Sequence, residues 1–390
     1  MLASLLSATL HGLDGRLVRV EVDVAPGLPG FTIVGLADTA LQEARERVRG
    51  AIRNSGYDYP PRRMTVNLAP AELRKGGASL DLAIALGILV GSEQIRATGR
   101  WAVLGELSLG GELRPVPGML PMVAALARRR VRRVVVPAEG VEEARLSGGI
   151  EVVAAETLAQ AARLLVASRR GRTKSGPPRA ELADGIGRET NLASELASSE
   201  LPQHQDGPDL AEVRGQLEAR RALELALAGG HCMVMIGPPG SGKTLLARTV
   251  PGLLPPLGDE EAVVATIVAS VAGPAPLREL VRQRPFRAPH HTISYAAMVG
   301  GGPHLSPGEV TLAHDGVLFL DELPEFDRVT LEALRQPIED GHIAIARVGR
   351  AAVFPSKFQL LAAMNPCPCK WELHRETGRS RRPWRSSCRR

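Results

Sequence analysis

Gly237-Pro238-Pro239-Gly240-Ser241-Gly242-Lys243-Thr244 decides how this chain is read; it is entered from Cys232-Met-Val-Met-Ile236 and left through Leu245-Leu-Ala-Arg-Thr249. An apolar strand, a glycine turn and a helix opening on Lys-Thr is the order in which backbone N–H groups and a helix N-terminus cradle phosphates. Gly237, Gly240 and Gly242 permit backbone conformations and close approach that a side chain would block. The whole loop, Gly237 through Thr244, is therefore the expected ATP-binding element. Lys243 is expected to reach the β- and γ-phosphates, and the Thr244 hydroxyl to help hold Mg²⁺. The competing reading is a chance glycine-rich turn, which the strand-turn-helix context disfavours.

The second half of such a site needs carboxylates at the end of a buried strand. Val317-Leu-Phe-Leu320 followed by Asp321-Glu322 supplies them. Asp321 is expected to hold Mg²⁺ directly or through water, and Glu322 to polarise the water that attacks the γ-phosphate. Ala362-Ala-Met-Asn365 reads as a further strand with a polar tip. Between them, Leu331 to Glu339 reads as an amphipathic helix carrying Arg335, either a surface arginine or one facing a neighbouring subunit.

At 390 residues the chain exceeds one ordinary core, and two or three domains are expected. Residues 16–24 alternate polar and apolar, and Phe31 to Gly35 and Arg63 to Ala69 read as further strands. Asp38 is placed to cap a helix running through Arg53, and Leu80 to Val90 is apolar almost all round, so that helix should be buried. Strands at 102–105, 106–109 and 133–136 flank a helix at 119–129. A self-contained α/β domain over 1–167 follows, then a linker over 168–206 and the nucleotide-binding segment over 207–369. Within the last, a helical pattern starts at Asp209 and runs to Gly229.

The net charge of +6 invites a nucleic-acid reading, but residues 370–390 hold eight Lys/Arg and two Glu. That excess equals the whole chain's, so residues 1–369 are formally neutral. Arg128-Arg-Arg130 with Arg132-Arg133 is the densest basic cluster before the tail. It reads as favourable charge at a helix C-terminus, compensated by Glu139, Glu142 and Glu143, in preference to a nucleic-acid patch. Four cysteines make no disulfide framework, and a reducing cytoplasm is the simplest setting. No apolar run approaches bilayer length, and Met1-Leu-Ala-Ser-Leu-Leu lacks the basic start of a signal peptide.

Three sets of residues carry a resemblance. Pro26-Gly-Leu-Pro-Gly-Phe-Thr-Ile-Val-Gly-Leu36, Val66-Asn-Leu-Ala-Pro70 and Gly105-Glu-Leu-Ser-Leu109 lie in the first domain. Arg284-Pro-Phe-Arg-Ala-Pro-His-His-Thr-Ile-Ser294, Met298-Val-Gly-Gly-Gly302 and Gly308-Glu-Val-Thr-Leu-Ala313 lie in the second. Together they resemble the ComM/YifB family of magnesium-chelatase-like AAA+ ATPases. The resemblance implies an N-terminal Lon-protease-like α/β domain (ribosomal S5 domain 2-like) followed by an AAA+ P-loop α/β domain. It also implies hexameric rings of the chain, DNA remodelling such as branch migration in transformation, and Asn365 orienting the attacking water.

Gly76-Gly-Ala-Ser79 sits where Lon-type proteases carry their nucleophile. The lysine of a Ser–Lys dyad falls near Leu120, where there is none, and Lys75 precedes the serine on its own turn. Ser79 is expected to start a helix, not to cut peptides. His290 and His291 fit a structural or pore-loop role better than a metal site. Cys367-Pro-Cys369 is half of a zinc site at most, since only Cys388 follows. After Cys369 the Arg/Ser-rich sequence departs from the family, whose members continue into arginine-bearing and helical-lid segments. The expectation is an unstructured tail from truncation or frameshift, no lid, and slow hydrolysis. A chelatase-like subunit coupling ATP hydrolysis to metal insertion, and a fragment without function, are the alternatives.

Overall fold

The computed structural model describes residues 1–35, 39–71, 75, 78–97, 99–167, 207–273, 276–302, 305–347 and 350–366. Asp38, Gly76, Gly77, the expected linker 168–206, Cys367, Cys369 and the tail through Cys388 lie outside these residues.

Strands β1 (Leu2–His11) and β2 (Asp14–Ala25) form an antiparallel hairpin with Leu2 opposite Asp23 and His11 opposite Asp14. Val18, Val20, Val22 and Val24 of β2 are buried, whereas Arg19 and Asp23 between them are exposed, as a strand with one face in the core requires. Next come β3 (Gly30–Val34), α1 (Thr39–Asn54) and β4 (Arg63–Ala69). Helix α2 (Asp81–Gly91) and strands β5 (Trp101–Val103), β6 (Glu106–Leu107) and β7 (Leu113–Arg114) follow. Helix α3 (Met119–Arg128), β8 (Arg133–Pro137), α4 (Val141–Arg145), β9 (Glu151–Ala155) and α5 (Leu158–Ala167) complete this half.

Seven of these strands make one sheet in the order β3-β4-β2-β1-β5-β8-β9, with helices on both faces. Helix α2 approaches β2 so closely that a Cβ on Gly87 would meet Val22 Cγ2 at 2.5 Å. On the other face a Cβ on Gly15 would meet the Pro121 carbonyl oxygen of α3 at 2.2 Å. Helix α1 docks through Ala44, Val48, Ala51 and Ile52, all fully buried at helical spacing. Strand β9 and helix α5 had no separate counterpart in the sequence reading.

In the second half, α6 (Leu217–Gly229) leads into β10 (Met233–Ile236), α7 (Lys243–Arg248) and α8 (Asp259–Ala272). Then come β11 (Phe286–Arg287), α9 (Tyr295–Val299), β12 (Gly300–Gly301), β13 (Ser306–Pro307), α10 (Glu309–Leu312) and β14 (Val317–Leu320). Helices α11 (Arg328–Glu332) and α12 (Arg335–Asp340), the hairpin β15 (His342–Arg347) and β16 (Arg350–Pro355), and β17 (Gln359–Met364) close it. The sheet order is β10-β17-β14-β11, all parallel.

Two expected helices are broken. The pattern from Asp209 makes only a single turn over Leu210–Glu212, capped by Asp209 Oδ1 on the Ala211 N–H at 2.9 Å. Gly215 and Gln216 then take left-handed φ of 71° and 52°, which no continuous helix allows, and α6 starts at Leu217. The expected helix over 331–339 is split into α11 and α12, because Pro337 has no N–H for Ala333 and its ring would collide with that carbonyl.

Glu143 corrects a third expectation. It does not compensate the arginine cluster; it is buried, and its carboxylate accepts the Leu120 N–H at 3.0 Å, the Ser270 hydroxyl at 2.6 Å and the Leu277 N–H at 3.1 Å. These bonds tie α3 and α4 of the first half to α8 of the second.

Candidate nucleotide-binding site

In a parallel sheet all strand C-termini leave from one edge, and the crevice outside that edge is where ligands sit. Strand β17 lies between β10 and β14, so the tip after β17 falls between the glycine loop after β10 and the acids after β14. Gly237 N–H donates to the Met364 carbonyl at 3.3 Å, which fixes the loop to β17.

Gly240 and Gly242 take φ of 77° and 86°, and a Cβ on either would meet nothing within 4 Å. Their backbone therefore faces open space in a conformation that favours glycine. Gly237 has no such φ; a Cβ there would lie 3.0 Å from Ser241 Oγ, so its smallness serves closure of the loop. Pro238, Pro239 and Gly240 are exposed at the tip.

Lys243 Nζ donates to the carbonyls of Gly237 at 2.7 Å and Pro238 at 3.0 Å, to Asn365 Oδ1 at 3.2 Å and to Ser241 Oγ at 3.4 Å. The ammonium is thus held in the mouth of the loop by neutral oxygens alone. Thr244 Oγ1 donates to Asp321 Oδ2 at 2.6 Å, and Asp321 Oδ1 accepts the Glu322 N–H at 2.9 Å. Lys243 thus meets Asn365 and Thr244 meets Asp321 at the ends of the adjacent strands β10, β17 and β14, with the Glu322 backbone against Asp321.

Two residues join that set. His291 Nδ1 is 3.3 Å from Glu322 Oε2, its ring edge-on to Phe326 and 4.0 Å from that of His290. His291 reaches Glu322 because β11 is the neighbour of β14, and strand order is not written in the sequence. Glu322 itself adopts φ of 53°, a left-handed conformation uncommon for a residue other than glycine. Gln216 Nε2 donates to the Ser241 carbonyl at 3.1 Å and braces the loop from α6. No cluster of three or more His, Cys, Asp or Glu that would hold a metal occurs among the described residues.

Arg335 lies elsewhere, exposed and paired with Glu339 at 2.9 Å one turn on, as a surface arginine does. Ser79 and Lys75 also stand apart. Ser79 is buried, and its hydroxyl donates to the Ala8 carbonyl at 3.3 Å instead of capping α2. Lys75 Nζ, fully buried, donates to the Pro70 carbonyl. Asp81 accepts two bonds from Arg47, at 2.7 and 3.2 Å, while burial pushes its carboxyl up to about 6 against that pull.

Most of the chain is similar to known proteins. Residues 209–386 match the family described as magnesium chelatase, subunit ChlI, and residues 20–140 the family described as subunit ChlI of Mg-chelatase. The first match runs past Cys369, where the sequence reading had placed the end of the family resemblance. The uncharacterized protein YifB of Escherichia coli is 44% identical over 92% of this chain and 66% of its own length. Competence protein ComM of Haemophilus influenzae is 42% identical over 94% of this chain and 69% of its own. Lon protease 1 of Hydrogenovibrio crunogenus is 26% identical over 34% of this chain and 17% of its own. The chain thus spans about two thirds of the length of the curated relatives it matches. It belongs to the ComM/YifB family of magnesium-chelatase-like proteins.

Proposed function

We propose that this chain is an ATP-hydrolysing AAA+ module of a ring-forming, DNA-remodelling machine of the cytoplasm. The observation that carries the ATPase reading is the meeting of Lys243, Thr244, Asp321 and Asn365 around a glycine backbone that faces open space. Two hard oxygen donors already in contact, Thr244 Oγ1 and Asp321 Oδ2, suit Mg²⁺, which would neutralise charge on the β- and γ-phosphate oxygens.

The chain's own groups divide the remaining work. Backbone N–H groups of the loop from Gly240 to Thr244 bind the phosphates. The Lys243 ammonium exchanges the carbonyls of Gly237 and Pro238 for phosphate oxygens, a stronger charge-assisted bond. Glu322 polarises the attacking water, Asn365 orients it, and His291 sets the position of the Glu322 carboxylate.

DNA as the partner rests on relatedness to a protein named for competence, and hexameric assembly on the family. Burial of Ser79 and Lys75, each spent on a backbone carbonyl, supports a first domain that does not cut peptides. The family description also favours a second reading, a chelatase-type subunit that couples hydrolysis to metal insertion. Light scattering with and without Mg·ATP, then DNA binding and DNA-stimulated turnover, tests the first reading. Turnover stimulated by a porphyrin and its chelatase partners, but not by DNA, would favour the second.

A further inference from the structure

A cavity of about 190 Å³ opens at the edge of the seven-stranded sheet, between β3 and α1, far in sequence from the nucleotide loop. Arg45, Arg49, Arg53 and Arg62 line it together with Tyr59 and Phe31. Arg45, Arg49 and Arg53 recur every four residues, so they stand in one row about 6 Å apart along α1.

Helix α1 treats its arginines in two ways. Arg47, turned toward α2, is neutralised by the buried Asp81. The row facing the cavity is left almost bare. Among the described residues Arg45 has only the exposed Glu46 at 3.7 Å, and no carboxylate lies within 4 Å of Arg49, Arg53 or Arg62. Arg49 sits 5.8 Å over the Tyr59 ring, and its Nε is buried without a hydrogen-bond partner. Burial raises the Tyr59 phenol, the charges of Arg45, Arg49 and Arg53 pull against that rise, and Glu46 adds to it. Like charges four residues apart destabilise a helix. An anion in the cavity removes that cost and gives Arg49 Nε an acceptor.

The cavity is smaller than the roughly 300 Å³ at which pockets for whole small molecules begin, so it suits one unit of a polymer crossing the surface. A row of guanidiniums at steps of the order of one nucleotide, beside aromatic rings, is the chemistry that tracks a phosphate backbone and stacks a base. We propose that this cleft binds single-stranded DNA, with successive phosphates on Arg45, Arg49 and Arg53 and a base against Tyr59 and Phe31. The first domain is then a DNA-holding surface of the machine. This inference rests on the proposal that DNA is the partner.

The test is fluorescence anisotropy of labelled oligo-dT with the full chain over a salt series, with binding of a fluorescent ATP analogue to each variant as the folding control. The triple variant Arg45→Gln, Arg49→Gln, Arg53→Gln is expected to bind at least tenfold more weakly at physiological salt. Its log–log salt slope should be shallower by about 2, at roughly 0.7 per phosphate lost from a single strand. The corresponding triple lysine variant should keep most of the slope. Tyr59→Leu should weaken binding by roughly fivefold or more at unchanged slope. Oligo-dT binding that is unaltered in the triple glutamine variant would overturn this site while leaving DNA as the partner. No DNA binding by the wild-type chain would overturn both. Displacement of oligo-dT by dTMP or by poly-glutamate at equal anion concentration would overturn nucleic acid as the ligand of the cleft.

Discussion

Two glycine-containing stretches of the sequence, residues 75–81 and 237–244, each carry a lysine and a hydroxyl at the start of a helix, and they come to opposite ends. In the first, Lys75 and Ser79 are buried and bound to backbone carbonyls, and Asp81 is committed to Arg47. In the second, Lys243, Thr244, Asp321 and Asn365 bind one another at the rim of a backbone that faces solvent. Residue type is similar in both, and what differs is where the polar groups point. A stretch whose polar side chains are spent on backbone carbonyls inside the core is architecture, while one whose groups share an open crevice can exchange those bonds for a ligand.

The largest effects should come from the second stretch. Lys243→Ala is expected to lower ATP turnover by roughly a hundredfold or more, measured by phosphate release, because it removes the charge aimed at the transferred phosphoryl group. Glu322→Gln should retain nucleotide binding and still slow turnover by about a hundredfold or more, which separates water activation from binding. Tight coupling of the two losses, with binding abolished in both variants, would place Glu322 in binding instead.

The first stretch should answer in stability. Asp81 has a folded-state value of about 6 against an ordinary 3.8, so folding takes up a proton between them. Its contribution is complete below about pH 3.8 and is lost as pH rises through about 6, a swing of roughly 3 kcal/mol at about 1.4 kcal/mol per unit. The stability difference between wild type and Asp81→Asn, from urea melts at pH 4 and 7, should shrink in wild type's disfavour by that order. A difference that is constant with pH would contradict it. Ser79→Ala should cost about 1 kcal/mol through its lost bond to Ala8 and leave ATP turnover within twofold. On turnover, His291→Ala should have a smaller effect than Glu322→Gln, changing kcat several-fold with little change in KM, by releasing Glu322.

Much of this was legible in the sequence. The period-two valines of β2, the buried α2 and the strand-loop-helix around Lys243 are local patterns, and local patterns survive folding. What was not legible depends on partners distant in the chain. His291 became a site residue only because β11 lies beside β14, and Glu143 met Ser270 across 127 residues. The arginine row of α1 is a plain helical spacing in the sequence, and the cavity that β3 and Tyr59 close beside it is a product of the fold. Breaks at Gly215 and Pro337 were visible as residues, yet the strong apolar period around them outweighed them in the reading.

The measurement that bears most directly on the convergence around Lys243 is equilibrium binding of a fluorescent ATP analogue, with Mg²⁺, to the purified chain. Wild type and Ser79→Ala are expected to bind alike, Thr244→Ala to lose the Mg²⁺ dependence of binding, and Lys243→Ala to lose binding by at least tenfold. Equal binding by wild type and Lys243→Ala, with or without Mg²⁺, would contradict the account.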